Sequence, residues 1–304
     1  MSRVWLITGS SRGLGRALAE AVLASGDSLV ATARDPLQLA DLSERYGGQV
    51  LTLALDVTDE AAAAAAVEAG VKRFARIDVL VNNAGYGNVG SIEDTSLADF
   101  RAQIETNLFG TIIMTKAVIA LMRGQGAGHI IQFSSVGGRI GPAGRGAYSA
   151  AKFAVEGFSE VLSKEVAPFG IKVTVIEPGG FRTDFAGAST VLAEGRAEYA
   201  ETVGATVRFQ REYDGRQPGD PAKAAAVVLH IAGLHEPPLR LLLGSDAVRN
   251  VEKADAARIA ADWEWRAVSV STDFEPGCRG ADDAPGRRCR LTTQTKRRSG
   301  AGAS

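Results

Sequence analysis

Three residues stand at spacings that suit acid–base chemistry: Ser135, Tyr148 thirteen residues later, and Lys152 four residues beyond that. Residues four apart share one face of a helix, so the phenol and the ammonium can point into one cleft. A free phenol has a pKa of about 10 and is a poor base at neutral pH. Because a neighbouring ammonium favours the phenolate, we predict that Tyr148 and Lys152 work together as a proton donor or acceptor.

Ser135 follows a strand pattern, where its hydroxyl is expected to donate a hydrogen bond to a substrate oxygen as charge develops there. A nucleophilic serine is the rival interpretation, but no Gly-x-Ser-x-Gly motif surrounds Ser135. The three histidines, His129, His230 and His235, fall at a strand start and near the end of a late helix, where surface or capping roles are expected. No cluster of His, Asp or Glu has metal-ligand spacing, so no metal is expected.

A glycine-rich segment follows the first predicted strand and opens directly into a helix. Such glycines let the backbone approach a pyrophosphate, and the helix N-terminus offers unpaired N–H groups to the anion. For a glycine cluster taken alone, a plain tight turn is the alternative. The residues predicted to hold a dinucleotide here are Thr8, Gly9, Ser11, Arg12, Gly13, Leu14 and Gly15.

The end of the second predicted strand indicates which dinucleotide binds. A carboxylate there suits the ribose 2′-hydroxyl of NAD, whereas an arginine suits the 2′-phosphate of NADP. This chain has Arg34 at that point and no carboxylate before Asp35, and Arg12 can converge on the same phosphate. Two solvated surface arginines are the alternative. We predict that NADP(H) is favoured over NAD(H).

Polar and small residues also follow the third and fourth predicted strands. Asp56 is expected to accept a hydrogen bond from the adenine amino group, with a helix-capping role as the alternative, and Val57 beside it is assigned to the same cofactor site. Asn82–Gly85 ends the fourth strand. Its residues Asn83, Ala84 and Gly85 are expected to line the cofactor groove and to tie neighbouring strands together.

Short apolar strands alternate with longer helical patterns over most of the chain. Strands are predicted at residues 4–8, 28–32, 50–55, 78–81, 129–134, 172–177 and 239–243, and helices at 13–25, 36–46, 59–75, 97–122, 148–167, 221–234 and 248–267. Continuous apolar strands separated by helices predict a doubly wound α/β fold, a parallel sheet of about seven strands with helices on both faces. Ligands of such sheets bind beyond the carboxyl ends of the strands, where the motifs above fall.

One domain is predicted over residues 1–275, with a substrate loop at about 181–217 and a basic tail at 276–304. The tail holds seven Lys or Arg, two Asp and both cysteines, Cys278 and Cys289, and its composition predicts disorder. Net charge is −1, so nothing favours nucleic acid or an anionic membrane. Since no segment has about 18 uninterrupted apolar residues and two cysteines make no disulfide framework, a cytoplasmic protein is expected.

In their order along the chain, these motifs resemble those of the short-chain dehydrogenases/reductases. The elements that carry the resemblance are Thr8–Gly15, Asn82–Gly85, Asn107, Ser135, Tyr148 with Lys152, and Pro178-Gly179 with Thr183. It covers roughly residues 3–245. Within the family the chain looks most like bacterial oxidoreductases related to 17β-hydroxysteroid and retinol dehydrogenases.

The resemblance implies a role for each matching residue. Tyr148 would be the acid/base, Ser135 would position the substrate oxygen, and Lys152 would bind the nicotinamide ribose while lowering the tyrosine pKa. Asn107 would support a water that feeds protons through Lys152, although the sequence alone would make it a solvated or locally kinking residue of a helix. Ile176–Gly179, with Pro178 and Gly179, and Thr183 would hold the nicotinamide carboxamide, and Phe181 is assigned to the same cofactor site. Gln132-Phe133 departs from the family pattern and is expected not to touch the chemistry.

The function predicted is an NADPH-preferring oxidoreductase acting on a small carbonyl compound or secondary alcohol, which the resemblance to the family implies is lipophilic. The substrate would meet Tyr86–Ile92, Val136–Ala147 and Phe181–Gln217, including Tyr86, Ile140, Phe181, Phe185, Tyr199 and Phe209, which alternatively cap the core. Apolar residues on several faces of the helices at 97–122 and 148–167 fit a homodimer or homotetramer. The alternative function is a non-catalytic NADP-binding regulatory protein. A cofactor-independent lyase would need a filled glycine turn and arginine in place of Lys152.

Overall fold

Seven strands rich in Val, Leu and Ile form one parallel sheet. The strands are β1 (Val4–Ile7), β2 (Ser28–Ala33), β3 (Val50–Ala54), β4 (Val79–Asn82), β6 (Gly128–Phe133), β7 (Ile171–Pro178) and β9 (Arg240–Leu243). Their order across the sheet is β3-β2-β1-β4-β6-β7-β9, and each neighbouring pair is parallel. The chain reverses its direction of travel across the sheet between β3 and β4, which places a crevice at the carboxyl ends of β1 and β4. The predicted doubly wound fold is confirmed.

Helices cover both faces of this sheet. They are α1 (Gly13–Ala24), α2 (Ala40–Tyr46), α3 (Glu60–Phe74), α4 (Leu97–Ile104), α5 (Gly110–Gln125), α6 (Gly146–Val166), α7 (Ala205–Tyr213), α8 (Pro221–Ala232) and α9 (Ser245–Val270). Side chains of β1 alternate between two core clusters: Trp5 and Ile7 pack with α1 and α8, whereas Leu6 packs with α3, α5 and α6. A strand buried on both faces is apolar throughout, which is why the sequence shows runs rather than alternation.

The single helix predicted at 97–122 is interrupted. A π-helical turn, Glu105–Phe109, separates α4 from α5, and π turns inside helices are frequent at functional sites. By length and composition the whole stretch Leu97–Gln125 is apolar enough to cross a membrane, although such a test also selects core helices. Met114, Val118 and Met122 of α5 pack in the core beside the sheet.

The segment predicted as a loop at 181–217 contains regular structure. Its strand β8 (Thr190–Leu192) pairs in parallel with β5 (Gly87–Val89) to form a separate two-stranded sheet, and α7 follows. Val203 and Val207 of this segment pack with Val89 in a third, small apolar cluster. The segment is therefore a small cap with its own apolar contacts and some regular structure, and its assignment as a substrate loop stays a prediction.

The computed structural model describes residues 2–185, 187, 189–193 and 195–274. The chain divides into two compact units, residues 1–256 and 257–304. In the second unit the described residues are helical as far as Val270. The predicted tail at 276–304 lies outside the described residues, and the single domain predicted over 1–275 stays a prediction.

Candidate active site

A cavity of about 1150 Å³ opens at the carboxyl ends of the sheet strands. It brings together nearly all of the residues that the sequence assigned to a site. Those lining it are Gly9, Ser11, Arg12, Gly13, Leu14, Arg34, Asp56, Val57, Asn83, Ala84, Gly85, Asn107, Ser135, Tyr148, Lys152, Pro178, Gly179, Phe181 and Thr183. Thr8 and Gly15 do not line it.

Thr8 and Gly15 instead build the turn behind the cavity wall. The hydroxyl of Thr8 accepts hydrogen bonds from the backbone N–H groups of Asn83 and Ala84, each at 3.0 Å. A Cβ at Gly15 would lie 2.3 Å from both Asn83 Nδ2 and the Gly9 carbonyl oxygen, so only glycine fits. Both residues thus support the turn from behind the cavity wall, and their assignment to the cofactor site stays a prediction.

The glycine turn leaves the N-terminus of α1 open to an anion. Gly9 and Gly13 adopt φ angles of 69° and 59°, which favour glycine. No side chain caps α1 and no acidic residue lies in its first turn, whereas Asp59 caps α3 and Asp220 caps α8. The free N–H groups and the helix dipole at this cavity wall fit a pyrophosphate.

Two arginines stand at the neighbouring part of the cavity. Arg12 and Arg34 are exposed, and within the described chain neither forms an ion pair or a side-chain hydrogen bond. The nearest acidic neighbour in sequence, Asp35, accepts the N–H of Leu37 at 3.0 Å and so caps the short turn that follows β2. The arrangement offers positive charge, which suits a phosphate better than a ribose hydroxyl.

Asp56 lines the cavity after β3 and is held in a local turn. Its Oδ1 accepts hydrogen bonds from the backbone N–H and the hydroxyl of Thr58, at 3.0 and 2.8 Å. These bonds, helped by the charge of Arg34, lower the pKa of the Asp56 carboxyl. The helix-capping alternative was wrong, because Asp59 caps α3 by accepting two backbone N–H groups.

Tyr148 and Lys152 lie on one face of α6 and both line the cavity, as the spacing predicts. They are only 7% and 5% exposed, and Lys152 Nζ is 5.8 Å from the centroid of the Tyr148 ring. Lys152 Nζ donates a 2.8 Å hydrogen bond to the carbonyl oxygen of Phe133 at the end of β6. Phe133 therefore touches the site, contrary to expectation, although through its backbone.

Burial dominates the ionisation of both groups. It lowers the pKa of the Lys152 ammonium to about 8, opposed by the charge of Glu156 one turn later. It also raises the pKa of the Tyr148 phenol, opposed by a hydrogen bond from Ser135 and by the charge of Arg145. Arg145 is thus a second cation beside the phenol, at the same 5.8 Å from the ring centroid as Lys152 Nζ, and the effect of Lys152 on the phenol pKa stays a prediction.

Ser135 and Asn107 complete the polar centre. Ser135 Oγ accepts the N–H of Gly137 at 3.0 Å and lies beside the Tyr148 ring. Asn107 is fully buried in the π-helical turn and donates from Nδ2 to the carbonyl of Tyr86 at 3.0 Å. A Cβ at Gly85 would lie 2.4 Å from Asn107 Oδ1 and 3.8 Å from Lys152 Nζ, so the three residues meet at one point. Asn107 is not solvated, but it does sit at a helix irregularity.

The segment after β7 closes the cavity above the glycine turn. A Cβ at Gly13 would lie 3.6 Å from Cβ of Thr183. The N–H of Gly180 donates to Asp246 Oδ2 at 2.8 Å, and that carboxylate also accepts from the Tyr213 hydroxyl at 3.4 Å. Asp246 was missed from the sequence, although it follows the carboxyl end of the last strand, where a site residue is expected.

Apolar and aromatic side chains form the wall near Tyr148. Those predicted from the sequence and found there are Tyr86, Ile140, Phe181, Phe185 and Phe209. The Phe185 ring lies 5.7 Å from the Tyr148 ring, centroid to centroid. Tyr199 was wrongly included, because it lies outside the cavity and donates its hydroxyl to Glu93. Arg145 and Gln210 also line the cavity; both fall within the ranges predicted to meet the substrate but were not singled out there.

His129 is not the surface or capping residue expected. It is buried in β6, where Nε2 lies 2.9 Å from the hydroxyl of Thr174 on β7. Burial lowers the pKa of its imidazole to about 4, helped by the charges of Lys172 and Arg3. His129 is therefore a neutral core residue that links two strands.

Comparison with known proteins gives a consistent result. The family model for short chain dehydrogenases matches residues 3–191. Oxidoreductase BOA17 of Botryotinia fuckeliana is 50% identical over 273 residues, 90% of this chain and 100% of the relative. A short-chain dehydrogenase structure from Streptomyces avermitilis has a TM-score of 0.85 and 43% identity, covering 90% of this chain and all of that one. A short-chain dehydrogenase/reductase from Burkholderia phymatum, solved with NAD, has a TM-score of 0.73 and 25% identity, covering 83% of this chain and 92% of that one.

The buried ammonium makes folding stability depend on pH. Because burial lowers the Lys152 pKa from 10.5 to about 8, the folded protein binds fewer protons than the unfolded chain between those values. The free energy of unfolding therefore rises with pH across that window, by about 3 kcal/mol for this one group. We expect wild type to gain about 2 kcal/mol of this relative to Lys152→Met between pH 8 and 10 in denaturant titrations.

The control is Lys164→Met, which removes an exposed lysine of the same helix that pairs with Glu160. The difference in free energy of unfolding between Lys164→Met and wild type should stay nearly constant between pH 8 and 10. A difference between wild type and Lys152→Met that is equally flat would contradict the buried-ammonium account.

Proposed function

Because the chain belongs to the short-chain dehydrogenase family, we propose that it is an NADPH-preferring oxidoreductase acting on a carbonyl compound or secondary alcohol. One observation carries the proposal: Ser135, Tyr148 and Lys152 share a single cavity with the uncapped glycine turn. A purely dinucleotide-binding regulatory protein is the alternative. It has no need of a buried ammonium beside a buried phenol, an arrangement that costs stability.

The bound nicotinamide supplies or accepts the hydride. Ser135 is placed to donate a hydrogen bond to the substrate oxygen, where negative charge grows during reduction. The Tyr148 hydroxyl gives its proton to that oxygen in reduction and takes it back in oxidation. Lys152 would hold the ribose hydroxyls of the bound cofactor and return a proton to Tyr148. Asn107 keeps the neighbouring backbone of Tyr86 in place and orients the solvent that resupplies Lys152.

Arg12 and Arg34 support the choice of NADP(H) over NAD(H). Both are exposed at the cavity, and in the described part of the chain neither forms an ion pair, although the charge of Arg34 acts on the Asp56 carboxylate. Guanidinium groups bind phosphate oxygens through paired N–H groups, so two at one place favour the extra 2′-phosphate. Asp35, the acidic residue nearest in sequence, is engaged as a cap.

The wall near Tyr148 supports a lipophilic substrate. Ile140, Phe185 and Phe209 offer apolar surface there, while the polar groups concentrate at Ser135 and Tyr148. Such a division is typical of pockets in which a few polar groups orient a largely apolar ligand.

The reaction class is tested with Tyr148→Phe. With NADPH and a panel of ketones and aldehydes, wild type should oxidise the cofactor, and the variant should lose about 10²–10⁴-fold in kcat because its ring has no proton to give. NADPH binding, followed by fluorescence, should survive. Tyr46→Phe, in a half-buried position away from the cavity, is the matched control. NADPH binding by wild type without turnover of any substrate would favour the regulatory alternative.

Cofactor choice is tested with Arg34→Ala. We expect the dissociation constant for NADPH to rise about tenfold or more, since a charge-assisted hydrogen bond contributes about 1.5–3 kcal/mol, while that for NADH changes little. Arg101→Ala, an exposed arginine of α4, should leave both constants unchanged. Equal weakening of NADPH and NADH by Arg34→Ala would count against a 2′-phosphate contact.

A homodimer or homotetramer is part of the proposal. Phe109, Phe153 and Val161 are between 45% and 55% exposed on the π-helical turn and on α6, where a second copy would bury them. Phe153→Glu should shift the mass in light scattering towards the monomer, whereas Leu37→Glu, at another exposed apolar position, should not. A monomeric wild type would contradict the assembly.

A further inference from the structure

Arg145 immediately precedes α6, three residues before Tyr148. The carbon at the centre of its guanidinium lies 5.8 Å from the centroid of the Tyr148 ring. Its side chain also lines the cavity, on the wall near the phenol. The sequence places Arg145 only within the range Val136–Ala147 predicted to meet the substrate, and no motif singles it out.

This guanidinium has no anionic partner in the described chain. Nη2 donates to the amide oxygen of Gln210 on α7 at 2.7 Å, and Nη1 is buried without a hydrogen bond. A Cβ at Gly87 would lie 3.0 Å from Nη1, so backbone also encloses this nitrogen. A neutral amide satisfies one N–H but compensates no charge, and a half-buried guanidinium with one nitrogen fully enclosed is costly to leave this way.

The other groups around Tyr148 include one further cation, at the same distance from the ring as the guanidinium. From α6 the second cation is Lys152, which donates to the carbonyl of Phe133 and has the carboxylate of Glu156 one turn later. Ser135, after β6, offers a neutral hydroxyl, and Phe185 from the cap offers only a ring. The Lys152 ammonium also loses its proton at a pH of about 8. The guanidinium stays charged through that range.

We propose that Arg145 is a positioning residue that stabilises the phenolate of Tyr148, the anion that compensates its own half-buried charge. The inference rests on the proposed function, in which that phenolate takes the proton of an alcohol. Coulomb attraction is reciprocal, so the interaction that stabilises the guanidinium stabilises the phenolate to the same extent. In line with this, Arg145 opposes the rise that burial causes in the Tyr148 pKa.

The test is the pH dependence of kcat/KM for alcohol oxidation with saturating NADP⁺, in wild type, Arg145→Gln and Arg145→Lys. Losing a cation at this distance should raise the apparent pKa of the rising limb by about 1 pH unit. Arg145→Gln should therefore lose activity near neutral pH and regain it at higher pH. Arg145→Lys, which keeps the charge, should return most of the way to the wild-type profile. Arg123→Gln removes an arginine from the end of α5 and should leave the profile unchanged.

A second variant keeps the test valid if Arg145→Gln does not fold. Gln210→Glu leaves the arginine in place and gives it a carboxylate partner, which should raise the same apparent pKa. An unchanged profile in either folded variant, with only the rate reduced, would show a merely structural role and overturn the proposal.

A spectroscopic measurement of the Tyr148 pKa, which needs no catalysis, tests this inference separately from the proposed function. Tyrosinate absorbance of the NADP⁺ complex, with the Tyr148→Phe signal subtracted, reports the Tyr148 phenol alone among the five tyrosines. A higher phenol pKa in Arg145→Gln, in a protein that oxidises no alcohol, would support the electrostatic coupling and refute the function. Turnover with an unmoved phenol would refute the coupling alone.

Discussion

The hydrogen bond from Lys152 Nζ to the Phe133 carbonyl oxygen is the contact on which the rest of the site depends. An ammonium that is 95% buried must have its N–H groups satisfied, and this bond fixes α6 against the carboxyl end of β6. Once α6 is fixed, Tyr148 one turn earlier is held at the cavity beside Ser135. The same burial lowers the lysine pKa and raises that of the phenol, so packing and acid–base behaviour have a common cause.

Much of this arrangement is predictable from short-range patterns. The spacing of Tyr148 and Lys152 needs only helical periodicity, and α6 places both at the cavity. The glycine turn needs only a strand, a helix and residues that tolerate positive φ, and Gly9 and Gly13 have such angles. Buried parallel strands appear as apolar runs, so all seven sheet strands lie within a few residues of their predicted positions.

What the sequence did not predict depends on contacts between distant segments. Strand β8 has three residues and pairs with β5 about a hundred residues earlier, a pairing that leaves no local periodicity. Tyr199 looked like a pocket aromatic but finds a carboxylate partner, Glu93, on the surface. The sequence also could not show that Arg145 has no carboxylate partner in the described chain, because ion pairs form between residues that are close in space and not in sequence. The π-helical turn around Asn107 inserts an irregularity into a helix pattern that reads as continuous.

The central claim is that the buried phenol and ammonium face a dinucleotide held at the glycine turn. A crystal structure of the protein with NADP⁺ tests it most directly. The account predicts the pyrophosphate at the N-terminus of α1, the 2′-phosphate at Arg12 and Arg34, and the nicotinamide at the end of the cavity where Tyr148 and Lys152 lie. A dinucleotide bound elsewhere, or a nicotinamide remote from Tyr148, would contradict it.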